Sequence, residues 1–209
     1  MFKDRVDAGR QLAVKLGQYK GANAVVLAIP RGGVVVGEQV ARELHLPLDV
    51  IIPRKIGAPG NPELAIGAVV TRGRAMINEA LVQELNIPRS YIDGEVEKQL
   101  AEVARRRKLY LGGREPIPLK DKIAIVVDDG LATGYTALAT VNAVREQQPE
   151  KIILAVPVAP TDTCDRLEKE VDEIICLEAH ELFFAVGQFY ENFGQTTDAE
   201  VIDILSGYR

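Results

Sequence analysis

Five short, mostly apolar runs alternate with segments of helical periodicity, and this alternation restricts the fold more than any other feature of the chain. The runs are residues 24–29, 48–52, 122–127, 152–156 and 173–177. Apolar residues recur at helical spacing in residues 4–19, 36–44, 136–147 and 161–169. Continuous apolar runs are typical of strands buried on both faces, and strands that alternate with helices form parallel sheets. The sequence therefore predicts an α/β fold, with a parallel sheet covered by helices on both faces.

One long insert interrupts the alternation. Residues 63–70 and 74–78 have the pattern of two strands joined around Arg72-Gly73, and Pro88 opens a long helix that ends near Gly112-Gly113. We expect this insert to form either a lid over the carboxyl ends of the strands or a separate subdomain. The expected organisation is a single domain over residues 1–209, with a core at about 21–53 and 121–178, the insert at about 54–120 and an aromatic C-terminal tail at 179–209.

Composition excludes several classes of protein. The 209 residues carry a net charge of -5, which disfavours binding to nucleic acid through bulk charge. Only two histidines occur, and neither of the serines Ser90 and Ser206 lies in a G-x-S-x-G motif, so serine triads and histidine-rich metal sites lack their residues. No lysine follows a glycine, which excludes a P-loop, and no G-x-G-x-x-G motif suggests a nicotinamide-binding domain.

The chain also lacks membrane and secretion signals. Its apolar stretches reach about six residues, far fewer than the ~20 that span a bilayer. The first residues contain no apolar signal core. Cys164 and Cys176 are too few for a secreted disulfide framework, so we expect buried thiols. These observations predict a cytoplasmic protein that does not contact membranes.

The most informative stretch is the strand-to-helix junction at residues 126–136. A helix amino terminus presents unpaired N–H groups to an anion, so Ala132, Thr133, Gly134 and Thr136 fit a phosphate. The preceding carboxylates, Asp128-Asp129, would repel that phosphate if they faced it, so they must face hydroxyl groups or a metal instead. A strand, two acids and a phosphate loop in this order predict a pocket for ribose 5-phosphate.

The run Val126–Ala137, VVDDGLATGYTA, resembles the phosphoribosyl diphosphate (PRPP) binding signature of the type I phosphoribosyltransferases. The resemblance extends over about residues 25–178 and implies the Rossmann-like fold of that family, with the insert as a lid or hood. It also implies a glycosyltransferase that moves ribose 5-phosphate from PRPP to a nitrogenous base, with release of pyrophosphate, in nucleotide metabolism and salvage. The PRPP-binding residues that it implies are Arg31, Gly32, Gly33, Asp128, Asp129, Gly130, Ala132, Thr133, Gly134, Tyr135 and Thr136.

The resemblance also implies catalytic and metal sites. Arg31-Gly32-Gly33 lies after the first strand, where this family keeps its pyrophosphate loop, and Arg54-Lys55 follows the second strand, where similar enzymes place basic residues. Asp128, Asp129, Arg54 and Lys55 are therefore the expected catalytic residues. Mg²⁺ is the expected cofactor, held at Asp128 and Asp129 mostly through the substrate. The basic run at residues 105–108 either reaches the same anion or faces water.

Two departures from the family pattern bear on the acceptor. Ala132 stands where relatives that use hypoxanthine or guanine have an acidic residue, which disfavours a 6-oxopurine as acceptor. Tyr135 is bulkier than the residue usual there, and it either covers the phosphate or points outward. The tail aromatics either stack on a base or pack in the core; Phe183 and Phe184 are at least as well suited to the core.

Two other functions remain open. A regulator could keep the PRPP pocket and bind nucleic acid or a protein partner without catalysis, although the acidic net charge argues against nucleic acid. A PRPP synthetase would need a much longer chain with two similar domains. The partners we expect are therefore PRPP and a nucleobase-like acceptor, with a homodimer as a candidate assembly.

Overall fold

The computed structural model describes residues 1–70 and 75–208, and within them it contains eight strands and seven α-helices. The strands are β1 (Ala24–Ala28), β2 (Leu48–Val50), β3 (Pro53–Ala58), β4 (Asn61–Val70), β5 (Met76–Ile77), β6 (Ile123–Val127), β7 (Lys151–Pro160) and β8 (Glu173–His180). The helices are α1 (Arg5–Lys15), α2 (Gly32–Leu44), α3 (Glu79–Glu84), α4 (Arg89–Leu111), α5 (Tyr135–Arg145), α6 (Thr161–Glu168) and α7 (Asp198–Ser206).

The five predicted core strands form one sheet in the order β2-β1-β6-β7-β8, and all of its pairs are parallel. The chain runs from β1 outwards to β2 and then returns to place β6 on the other side of β1. This reversal of strand order is a topological switch point, where ligands bind in open α/β sheets. Ala28 and Val127 are register partners at the ends of β1 and β6, so the segments that follow these two strands lie side by side.

Both faces of this sheet are covered by helices. Val26 and Ala28 belong to an apolar cluster that includes Leu12 of α1 and Val40 of α2. The alternate residues of β1 belong to a second cluster, which includes Val141 of α5 and Leu167 of α6. This alternation follows from the two-residue period of a strand. The predicted parallel sheet with helices on both faces is confirmed.

The insert forms a second, antiparallel sheet in the order β3-β4-β5. β4 and β5 correspond to the two predicted strands, and Ala68 pairs with Met76. The turn expected at Arg72-Gly73 lies outside the described residues. β3 was not expected as a strand; it forms because Arg54 pairs with Val69 in β4, a partner that only the tertiary structure supplies. α3 was not expected either, and it is only six residues long.

The long helix of the insert begins and ends as predicted, but the burial predicted for one of its apolar residues was wrong. Pro88 caps α4 at its start, and Gly112, with a φ of 58°, ends it. The spacing of apolar residues predicts that Leu100 is buried, yet its side chain is 39% exposed and Gln99 is buried instead. Gln99 is buried because its amide oxygen accepts a hydrogen bond from Nε of Arg54 at 3.1 Å. None of the described helices is both long and apolar enough to cross a membrane.

A buried carboxylate on β2 fixes the point where the insert returns to the core. Asp49 is 1% exposed, and its two oxygens accept hydrogen bonds from the backbone amides of Val50 (2.9 Å) and Ile117 (2.8 Å). Nη2 of Arg114 lies 3.7 Å from Asp49 Oδ1, while Nη1 of Arg114 donates to the carbonyl of Tyr208 at 2.6 Å. Asp49 thus joins the end of the insert to an edge strand of the parallel sheet.

We expect Asp49→Ala to lower the free energy of unfolding by about 3 kcal/mol, because it leaves two backbone amides without their acceptor and removes the carboxylate beside the partly buried Arg114. Urea unfolding followed by circular dichroism measures this loss. The matched control is the exposed Asp165, whose replacement by Ala is expected to change stability by less than about 0.5 kcal/mol. Equal effects of the two substitutions would contradict the structural role of Asp49.

Candidate functional site

Two adjacent carboxyl groups, Asp128-Asp129, directly follow β6 at the carboxyl edge of the parallel sheet. The backbone N–H of Asp129 donates to Oδ1 of Asp128 at 2.8 Å. Desolvation, and secondly the charge of Asp129, raise the pKa of the Asp128 carboxyl well above its ordinary value. The ionised form of the Asp128 carboxyl is therefore less favourable here than it is in water.

The second acid is held from both ends of the chain. Nε of Arg5, at the start of α1, donates to Oδ2 of Asp129 at 2.7 Å, and the hydroxyl of Tyr190 donates to the Asp129 backbone carbonyl at 2.6 Å. Sequence reasoning missed Arg5, because it lies 124 residues from Asp129 and no local pattern distinguishes it. Tyr190 was considered only as a tail aromatic, yet it supports the backbone of the acid pair.

The loop after β1 packs directly against the acid pair. A β-carbon at Gly32 would overlap with Oδ2 of Asp129, and one at Gly33 would lie 3.0 Å from Oδ1 of Asp128. A side chain at Gly32 would therefore displace the Asp129 carboxylate, and one at Gly33 would have to move Asp128 or the backbone beside it. The preceding Pro30–Arg31 peptide bond is cis, and Nη1 of Arg31 lies 3.8 Å from Oδ1 of Asp198. The structure thus brings the predicted pyrophosphate loop and the predicted ribose acids together.

The segment between β6 and α5 has the geometry of an anion-binding loop. Thr163 of α6 donates through Oγ1 to the carbonyl of Ala132 at 3.1 Å, and Arg166 donates to the carbonyl of Thr133. Because a trans peptide points its C=O and the following N–H in opposite directions, the amides of Thr133 and Gly134 point away from α6. Among the described residues, the amides from Ala132 to Thr136 have no backbone partner.

Gly134 makes this loop compatible with the helix that follows. Its φ of 70° is in the left-handed region, and a β-carbon there would lie 2.8 Å from Cγ2 of Thr163. Tyr135, the first residue of α5, is 51% exposed, and the guanidinium of Arg166 lies 5.4 Å from its ring centre. Of the two positions expected for Tyr135, the outward one agrees with this exposure.

Arg54 and Lys55 lie on β3 and line a cleft of about 510 Å³ whose wall includes Thr136 of the phosphate loop. Lys55 also lines an apolar cavity of about 250 Å³ beside Tyr135. Arg31 lines a different cavity, of about 350 Å³. The structure therefore brings Arg54 and Lys55 near the phosphate loop, and it does not bring them into the cavity of Arg31. Their joint action on pyrophosphate stays a prediction.

The basic run on α4 is engaged with carboxylates. Arg105 and Arg106 both donate to Glu102, and Arg107 lies 3.4 Å from Glu115. Of the two interpretations of this run, the pairing with nearby acids agrees better with a solvated helix face. No group of three or more His, Cys, Asp or Glu side chains suitable for a metal occurs among the described residues. A metal at the acid pair would therefore take further ligands from substrate or water.

The tail aromatics divide between the core and the surface. Phe189 and Tyr190 are buried, and Phe183 packs on Phe189 with ring centres 5.0 Å apart. Phe184 is 89% exposed, so of the two alternatives left open for this residue, core packing is excluded. Phe193 lies under the guanidinium of Arg5, whose central carbon is 3.8 Å from its ring centre. The aromatic tail thus contributes both to the core and to the surroundings of the acid pair.

The two cysteines are free thiols. Cys164 on α6 and Cys176 on β8 contact each other, and each is only partly buried, so the expectation of buried thiols was too strong. The contact lowers the pKa of Cys164 and raises that of Cys176.

Comparisons with known proteins agree with this fold. A sequence model of the phosphoribosyl transferase domain matches residues 2–193. A Mycobacterium tuberculosis protein, named only provisionally as a phosphoribosyl transferase, is 46% identical over 205 residues, which are 98% of this chain and 46% of that protein. A bifunctional protein PyrR from Deinococcus radiodurans is 33% identical over 140 residues, 63% of this chain and 74% of that protein. The chain spans about half the length of the M. tuberculosis relative.

Solved structures show the same architecture. The crystal structure of TT1426 from Thermus thermophilus superposes with a TM-score of 0.86 at 38% identity, over 99% of this chain and 98% of that one. A purine phosphoribosyltransferase from Pyrococcus horikoshii shares the fold, with a TM-score of 0.52 at 19% identity over 92% and 93% of the two chains. The chain belongs to the phosphoribosyltransferase family, and its fold is that of the type I members.

The packing of the first loop against the acids gives a direct stability test. We expect Gly32→Ala to lower the free energy of unfolding by about 1–3 kcal/mol, because its methyl group displaces the Asp129 carboxylate. Gly94→Ala is the matched control: it lies in exposed helix α4 with open space around it, so we expect a gain of up to about 1 kcal/mol. Urea unfolding of both variants measures the two effects. A neutral Gly32→Ala variant would show that the loop does not pack on the acids.

The raised pKa of Asp128 predicts a pH-dependent effect of its replacement. An acid with a raised folded-state pKa loses stabilisation as pH rises from about 4, the unfolded value, towards the folded value. Asp128→Asn removes this loss and keeps an acceptor for the amide of Asp129. We expect the variant to exceed wild type in free energy of unfolding at pH 7, with the difference shrinking towards pH 4. Unfolding curves at several pH values measure it, and a variant less stable than wild type at pH 7 would contradict it.

Proposed function

We propose that this protein transfers ribose 5-phosphate from PRPP to a nitrogenous base, with release of pyrophosphate. The observation that carries the proposal is the convergence of two loops at the switch point between β1 and β6. There the acid pair Asp128-Asp129 packs against Gly32-Gly33, and the phosphate loop follows directly from Gly130. The fold alone supports many chemistries, and this arrangement supports one that acts on a phosphorylated sugar.

The acid pair is proposed to bind the ribose hydroxyls. Carboxylates accept hydrogen bonds from vicinal hydroxyl groups, and their charge favours the positive charge that develops on the ribose ring in an oxocarbenium-like transition state. Arg5 and Tyr190 hold Asp129 in place, so its orientation is set before the ligand binds. The protein contributes mainly positioning and electrostatic stabilisation.

The loop from Gly130 to Thr136 is proposed to bind the 5-phosphate. Its free amides and the hydroxyls of Thr133 and Thr136 are suitable donors for the phosphate oxygens. Arg166 and Thr163 fix the carbonyls of the loop on the opposite side, which keeps these carbonyls away from the anion. Arg31, Arg54 and Lys55 are proposed to assist the departure of pyrophosphate.

Mg²⁺ is the proposed cofactor. Carboxylate oxygens are ligands that Mg²⁺ prefers, and it typically takes one or two from the protein and the rest from phosphates and water, which fits the acid pair. The bound ion would neutralise charge on the diphosphate. We also propose that the insert limits the access of water, which would otherwise compete with the acceptor.

The acceptor is proposed to be a nucleobase-like ring bound beside the tail. Val186 lies against Gly130, at the start of the phosphate loop, so the tail segment that carries Phe183 and Phe184 borders the site. The exposed ring of Phe184 offers a surface for stacking. Action in nucleotide salvage, in the cytoplasm, belongs to the same proposal.

Binding of PRPP to the purified protein, measured by calorimetry with and without Mg²⁺, tests the proposal. We expect Mg²⁺-dependent binding, and we expect the double variant Asp128→Asn with Asp129→Asn to bind at least about tenfold more weakly. Circular dichroism establishes that the variant is folded. Unchanged PRPP binding in a folded double variant would overturn the assignment of ribose to the acids.

Two further measurements make the test specific. We expect Thr133→Val to weaken the binding of ribose 5-phosphate and to leave the binding of ribose unchanged. Equal weakening of the binding of both ligands would contradict the assignment of the loop to the phosphate. A screen of nucleobases for pyrophosphate release then separates the enzyme from a regulator. Binding of PRPP with no release in the presence of any base would favour the alternative, a PRPP-sensing protein that binds nucleic acid or a protein partner.

A further inference from the structure

The side chain of Arg5 makes more contacts than its support of Asp129 alone accounts for. Its side chain is only 12% exposed, although it belongs to the first turn of a helix at the protein surface. Nε contacts Asp129, Nη1 donates to the carbonyl of Gly194 at 2.7 Å, and the guanidinium lies on the ring of Phe193. Three different contacts therefore fix both the position and the plane of this cation.

Arg5 shares a cavity with the predicted pyrophosphate loop. The cavity has a volume of about 350 Å³, and Arg31 and Gly32 form one wall while residues 193–196 form the other. Two carboxylates face these cations: Asp129 pairs with Arg5, and Asp198 lies 3.8 Å from Arg31. Asp198 is itself engaged by the hydroxyl of Tyr110, which donates to it at 2.6 Å. Each arginine thus has an acidic partner and still borders open space.

Hydrogen-bond donors remain available on both arginines. A guanidinium has five N–H donors, and within the described part of the chain Arg5 uses two nitrogens while Nη2 has no partner. Arg31 makes one long ion-pair contact and no hydrogen bond to a described residue. Two planar forks with free donors match a ligand that carries several anionic oxygens on adjacent centres.

The position of this cavity relative to the acid pair indicates which part of PRPP it would bind. In PRPP the diphosphate is bonded to C1, next to the hydroxyl-bearing carbons, whereas the 5-phosphate is at the far side of the sugar. Arg5 and Gly32 both approach Oδ2 of Asp129, the acid proposed to face those hydroxyls. The phosphate loop is a separate segment that leads into α5. An anion in the cavity of Arg5 and Arg31 therefore corresponds to the diphosphate end of the donor.

We propose that Arg5, together with Arg31, binds the diphosphate of PRPP and the pyrophosphate product. The inference rests on the proposed function and adds to it a residue outside the motif that carries the family resemblance. Asp129 then has two tasks, because it contacts the ribose and also holds Arg5 against the diphosphate. Gly194 and Phe193 provide the remaining support for the guanidinium.

The test compares three ligands on one variant. Calorimetry in the presence of Mg²⁺ measures the affinity of the full chain for inorganic pyrophosphate, PRPP and ribose 5-phosphate. We expect Arg5→Gln to weaken the binding of pyrophosphate and of PRPP by about tenfold to a hundredfold, as for the loss of a charge-assisted hydrogen bond. The affinity for ribose 5-phosphate, which has no diphosphate, is expected to change less than about threefold. Arg5→Lys, which keeps the charge and loses the planar fork, is expected to lie between wild type and Arg5→Gln.

Arg10→Gln is the matched control, because Arg10 is an exposed arginine on the same helix and its loss changes the net charge equally. We expect it to leave all three affinities unchanged. Equal weakening of all three ligands by Arg5→Gln would mean that Arg5 only supports Asp129, and it would overturn the inference. Unchanged pyrophosphate binding would overturn it as well.

Two safeguards keep the outcomes separate. If Arg5→Gln does not fold, the test uses Arg5→Lys and Phe193→Leu, because both variants keep a cation at this position. Selective weakening of pyrophosphate binding in these variants supports the inference, and the absence of such weakening overturns it. Wild-type protein that binds neither PRPP nor pyrophosphate would overturn the proposed function and this inference together. Wild-type binding of PRPP with an unaffected Arg5→Gln variant would overturn the inference alone.

Discussion

The rest of the site depends on the close approach between the loop after β1 and the carboxyl groups after β6. The two strands are neighbours in the sheet, and Gly32 and Gly33 bring the first loop against Asp128 and Asp129 without side chains of their own. This contact places an arginine-bearing loop, an acid pair and the start of the phosphate loop within one small region. The same chain with larger residues at these positions would keep its sheet and lose the convergence.

The two acids of the pair have unequal environments. Burial and a charged neighbour disfavour ionisation of Asp128, whereas Asp129 has an arginine at 2.7 Å. Both terminal segments of the chain take part, because Arg5 belongs to α1 and Tyr190 belongs to the tail. Such an arrangement exchanges stability for a positioned charge, as functional sites often do.

The sequence predicts well what is decided locally and poorly what is decided by distant partners. The buried strands of the core, the ends of α4 and the order of strand, acids and loop follow from runs, caps and motifs in consecutive residues. β3 could not be predicted, because Arg54 and Lys55 become part of a strand only by pairing with β4. The burial expected for Leu100 was wrong, because the neighbouring Gln99, which is bonded to Arg54, is buried instead. Arg5 gave no signal at all, since its role depends on a residue 124 positions away.

The hydrogen bonds from α6 to the carbonyls of Ala132 and Thr133 have a thermodynamic consequence for the anion binding proposed for this loop. A loop whose peptide planes are already fixed loses little conformational entropy when a ligand arrives, so more of the interaction energy remains as affinity. The role of α6 is then that of a rigid support. It fixes two peptide planes of the loop in the protein without any ligand.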